Sequence, residues 1–128
     1  MPDSGDTTTG ETTTVQWDSA LEAIERCYEL GWTDGLPVVP PTRDKIDAFV
    51  AALGGSPGIV EARVPPRGGD LTREVLAVNA VMAGCKPEYM EVLIPVVRAA
   101  CDERFNLHGV QATTHTAPPL IILSGPAA

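Results

Sequence analysis

Basic side chains are scarce in this sequence: 9 Lys and Arg stand against 17 Asp and Glu, a formal net charge of −8. The bases are also scattered, so no patch is present to meet a phosphate backbone or an anionic membrane surface. Neither nucleic acid nor membrane is expected as a partner. No apolar run approaches the roughly 18–20 residues of a helical membrane span. The N-terminus has neither the basic region nor the apolar region of a secretory signal. Cys27, Cys85 and Cys101 are an odd number without tight spacing. Free thiols in a cytoplasmic protein fit this better than a disulfide framework. CxxC, HxxxH and HExxH zinc patterns are missing, and so is a GxSxG nucleophile elbow. No internal repeat is found.

What remains is a chain of 128 residues, the size of one domain. Residues 1–16 are rich in Thr, Gly and acid and nearly free of apolar side chains, so a disordered tail is expected. Residues 17–128 then form a single α/β or α+β domain, a small mixed sheet with about four helices.

Ser19 and Glu22 form a capping box for a first helix, preceded by Trp17 and closed by Gly31. Leu21, Ile24 and Tyr28 make its apolar stripe. The Pro- and Gly-rich stretch around Val38 and Val39 permits only a short extended segment or a binding loop. Thr42 caps a second helix over 43–53, with Ile46, Phe49, Val50 and Leu53 inward. IVEARV at 59–64 reads as a strand with Val60, Ala62 and Val64 on one face and Glu61 and Arg63 on the other. After the PPRGGD loop, Thr72 starts a nearly all-apolar helix ended by Gly84. Pro87 opens a fourth helix to about Glu103, with Pro95 kinking it or dividing it. GVQATTH at 109–115 alternates like a strand, and PPLIILS at 118–124 reads as a strand buried on both faces.

Cys85 stands between a helix end and a helix start beside Lys86, where a thiolate would be stabilised as nucleophile, redox thiol or ligand. The plainer alternative is a small cysteine packed in an interhelix turn. His108 and His115 are the only histidines and the natural acid/base or soft-metal groups; each could equally be structural. Asp34 and Asp70, in TDG and GGD, either satisfy turn backbone or present a carboxylate base on a loop. Gly68 and Gly69 could bring amides near an anion with Arg67 assisting, although RGGD matches no phosphate-loop spacing. Asn79 interrupts an apolar helix and, if buried, must find partners. Asn106, Gln111, Thr113 and Thr114 gather around the histidines. Cys27 and Cys101 fall where core thiols are expected. The residues name no cofactor; a transition metal on Cys85, His108 and His115 is the candidate.

GWTDGLPVVPPT, NAVMAGCKPEYM, FNLHGVQATTH and PLIILSGP, taken in order, resemble a poorly characterised bacterial family. Some of its members are encoded beside UGSC- or CGSC-type thiol and selenol proteins. The resemblance covers residues 31–126 and corresponds to the N-terminal half of that family, whose members continue into a Gly- and Asn-rich second half. It implies that Trp32, Asp34, Cys85, Asn106, His108 and His115 lie within shared motifs, without assigning their roles.

The resulting expectation is one subunit of a heteromeric small-molecule enzyme, of lyase/hydratase or thiol-redox type, completed by a second protein chain. Cys85, His108, His115, Asp34 and Asp70 are its catalytic candidates. Trp32, Arg67, Asn106, Gln111 and Thr113 are its substrate-binding candidates. The alternative is a non-catalytic assembly or regulatory subunit, or a metal-binding module.

Overall fold

The computed structural model describes residues 19–126; Trp17 and the expected tail over 1–16 lie outside them. The described residues form a mixed α/β structure of five α-helices, two short 3-10 turns and one two-stranded antiparallel sheet. No helix among them is long and apolar enough to cross a membrane.

Helix α1, Ala20–Glu29, begins where Ser19 Oγ accepts the Glu22 amide at 3.1 Å. Its end is a Schellman motif. Gly31, at φ +70°, donates to Tyr28 O, and Trp32 donates to Cys27 O. The expected apolar stripe is not its buried face. Leu21 and Tyr28 are exposed, and the small Ala23 and Cys27 are buried instead. Ile24, the middle residue of the expected stripe, is half-buried.

Helix α2, Arg43–Leu53, follows Thr42 and buries Ile46, Phe49 and Val50. Helix α3, Arg73–Met82, starts where Thr72 Oγ1 accepts the Val75 amide at 3.2 Å. It buries Leu76, Ala77, Ala80 and Val81. Asn79 faces outward, donating through Nδ2 to Val75 O at 2.8 Å, so the amide does not interrupt the core.

A 3-10 turn, Pro87–Tyr89, leads into helix α4, Met90–Ala100. The helix is not divided at Pro95: α4 runs unbroken through that exposed residue and ends at Ala100, short of Glu103. Met90 and Ile94 join α2 and α3 in a single buried cluster. Each large side chain buried there contributes roughly 1.5–3 kcal/mol.

Strands β1, Val60–Val64, and β2, Gly69–Thr72, form a hairpin that rests on α3 and α4. Val60 pairs with Thr72 and Ala62 with Leu71, so Glu61 is the extra residue of a β-bulge. The bulge changes the expected facing at its own position: Glu61 turns inward and Val60 is left exposed, while Ala62 and Val64 stay half-buried and Arg63 exposed as expected. The buried carboxylate receives Arg73 Nε at 2.5 Å and is also paired with Arg98. Arg73 donates in addition to Gly54 O, the carbonyl that ends α2. One carboxylate thereby ties the hairpin to α3 and α4, and its partner Arg73 reaches α2.

Two further expectations are corrected. GVQATTH does not form a strand; helix α5, Leu107–Ala112, occupies most of it. Asn106, at φ +55°, turns the chain and accepts the Gly109 amide at 3.3 Å, starting a helix where side-chain alternation alone suggested extension. PPLIILS takes no regular structure, and Leu120 to Leu123 are exposed, at 83%, 57%, 81% and 49%. A strand apolar on both faces needs a paired neighbour and cover on each side, and the described residues supply neither.

Candidate functional site

The hairpin and the chain after α4 enclose a groove of about 420 Å³. Its floor and one wall come from Arg63, Pro65, Pro66 and Gly68, at the end of β1 and in the turn that follows. Gly68 closes that turn by donating to Val64 O at 2.9 Å, with φ +69°. The facing wall runs from Cys101 through Asp102 and Glu103 to Asn106, Leu107 and His108. The two walls are brought together because β1 packs on α4 and Glu61 pairs with Arg98.

Charges in the groove are unequally engaged. Asp102 Oδ1 accepts the backbone amide of Arg104 at 2.9 Å and its Nε at 2.8 Å, and Oδ2 accepts Nη2 at 2.9 Å. The Arg104 guanidinium and amide hold the Asp102 carboxyl at about 2. That carboxylate is ionised and already occupied. Arg63 Nε lies 3.1 Å from Asp70 Oδ1, and its terminal nitrogens donate no hydrogen bond among the described residues. Asn106 uses its carboxamide oxygen on Gly109 and keeps its NH₂ donors. His108 is exposed and, among the described residues, has no hydrogen-bond partner.

Of the residues singled out from the sequence, Asn106 and His108 therefore share one concavity. Arg67 stands exposed in the turn beside it. Asp70 does not sit in a loop; it lies on β2 and pairs with groove-lining Arg63. Cys101 lines the groove half-buried, where a core thiol was expected. Burial pushes the Cys27 thiol up, as suits a packed, unreactive side chain.

The others lie elsewhere. Cys85 closes the Schellman motif after α3, its amide donating to Ala80 O at 2.9 Å, and its side chain packs against the core cluster. Trp32 holds the equivalent place after α1. Asp34 Oδ1 accepts the Leu36 amide at 3.4 Å, an Asx turn, beside a smaller pocket of about 230 Å³ against Tyr28. Gln111 is exposed on α5. Thr113 Oγ1 accepts the His115 amide at 3.1 Å, turning the chain after that helix. Cys85 and His115 are not among the groove-lining residues. Among the described residues, no group of three His, Cys, Asp or Glu side chains is placed to hold a metal ion.

Sequence reasoning missed Arg63, the Pro65–Pro66 wall and the buried Glu61. The one available signal was an acid and a base inside an apolar strand. Comparison with family models, curated proteins and solved structures finds no match to this chain.

Proposed function

We propose that this chain is one subunit of a heteromeric enzyme acting on a small molecule. A second protein chain completes it, and the groove carrying His108 is this subunit's share of the site. One observation carries the reading. Four consecutive large apolar side chains, Leu120 to Leu123, are exposed in the segment that follows α5, about a dozen residues after His108. An apolar run presented to water marks a surface that another protein covers. The groove falls within the size range of small-molecule sites and is lined about equally by apolar residues (Pro65, Pro66, Leu107) and by charged or polar ones (Arg63, Glu103, His108). In this assembly His108 transfers the proton of a lyase- or hydratase-type step.

The position of Cys85 favours a second reading, a non-catalytic assembly subunit, because its side chain packs on the core away from the groove histidine. One experiment separates the two. The chain is co-purified from its native source at stoichiometric yield, with mass spectrometry of partners and metals, and His108→Ala is compared with wild type in the recovered complex. The enzyme reading predicts an intact complex with lost turnover. Full turnover by the variant would sink it and leave the assembly role.

A further inference from the structure

We infer that the groove between the β1–β2 turn and the start of α5 binds a small carboxylate with an apolar body. This deepens the reading above and rests on the groove being this chain's part of a small-molecule site. The polar groups that line it leave an excess of unused donors. Asp70 approaches Arg63 Nε at 3.1 Å, and neither terminal nitrogen of Arg63 donates a hydrogen bond among the described residues. Asn106 spends its oxygen on the Gly109 amide at 3.3 Å, so its NH₂ group has no assigned acceptor. His108 has no partner among the described residues and presents a further N–H.

The acceptors are less available. Asp102 is closed off by three hydrogen bonds from Arg104. Glu103 is the one groove carboxylate without such a clamp, and it is exposed to solvent. A ligand that supplies acceptors therefore complements the wall, whereas an amine would find Glu103 as its one unclamped carboxylate partner. The planar fork of Arg63 suits a carboxylate, which accepts two parallel N–H bonds. Pro65, Pro66 and Leu107 provide the apolar surface against which the rest of the ligand lies.

The test is a titration of the full chain, alone and in its native complex, with 4-methylpentanoate, 4-methylpentanamide and 3-methylbutylamine. Amide NMR shifts report where each binds and calorimetry reports affinity. The acid should bind saturably, shifting Gly68, Cys101 and His108, and should bind about 10- to 100-fold tighter than the neutral amide, the value of one charge-assisted hydrogen bond. Arg63→Gln should erase that preference while Arg63→Lys retains part of it; the position is exposed, so both variants should fold normally. Equal binding of acid and amide, preference for the amine, or shifts confined to residues outside the groove would overturn the inference. Recovery of a partner protein is read independently, so the subunit reading stands or falls separately.

Discussion

Replacing Glu61 by Gln should cost the fold about 3 kcal/mol. The Glu61 side chain is 0% exposed and the Arg73 side chain 17%, whereas Arg98 remains 57% exposed. Glutamine keeps the shape but removes the charge, and it turns an NH₂ group toward one of two guanidinium donors. Breaking a buried ion pair from one side costs about 3–5 kcal/mol, because the remaining charge stays desolvated. Arg73 bears that loss. Arg98 can rehydrate and adds at most about 1 kcal/mol. Against a total stability of about 5–15 kcal/mol this is a large fraction. Urea unfolding followed by circular dichroism at about pH 7 should show the midpoint falling by about 1–3 M at unchanged slope.

The pH dependence has a definite sign. Burial pushes the Glu61 carboxyl up, but hydrogen bonds and charge from Arg73 and Arg98 outweigh it and hold the group below its ordinary 4.5. A depressed folded-state value gives stability that is complete above the unfolded value and is lost as pH falls through the folded one. The gap between wild type and variant should stay constant down to about pH 5 and close below it. A Gln variant within about 0.5 kcal/mol of wild type at neutral pH would refute the claim that this triad ties the hairpin to the helices.

Met90→Ala, at a fully buried site, should lose about 2–5 kcal/mol, while Leu21→Ala, at 77% exposure, should stay within about 0.5 kcal/mol; equal losses would restore Leu21 to the core. NMR titration of Asp102 should give a midpoint near 2, and Arg104→Gln should return it toward 3.8. Because that value is depressed, any stability from the pair is present above about 3.8 and lost as pH falls through about 2.

The parts of this fold that are legible in sequence are those decided locally. Helices α2 and α3 are marked by a terminal glycine and an apolar period, and α3 also by the Thr72 cap; all of these signals lie within about a dozen residues. Thr42, by contrast, makes no side-chain cap bond at α2. The inward turn of Glu61 depends on arginines 12 and 37 residues away, which no local pattern encodes. The stripe of α1 misleads because periodicity marks an apolar face without saying that a neighbour covers it. At α5 the alternation in GVQATTH competes with the Asn106 cap, and the cap prevails. The candidate site divides in the same way. Asn106 and His108 are neighbours in sequence and were found together, whereas Arg63 and the prolines reach them only through packing of the hairpin on α4. Asp34 and Cys85 sit in motifs that read as chemistry but serve chain turns in the structure.

The central claim is that Leu120 to Leu123 are covered by a second protein. Hydrogen exchange of residues 120–123, measured by mass spectrometry on the chain alone and in its native complex, tests it most directly. The account predicts rapid exchange in the isolated chain and at least about 100-fold slowing in the complex, with Leu120→Ser plus Ile122→Ser abolishing assembly while leaving the helical spectrum unchanged. Equal exchange in both states, or protection already present in the isolated monomer, would contradict it.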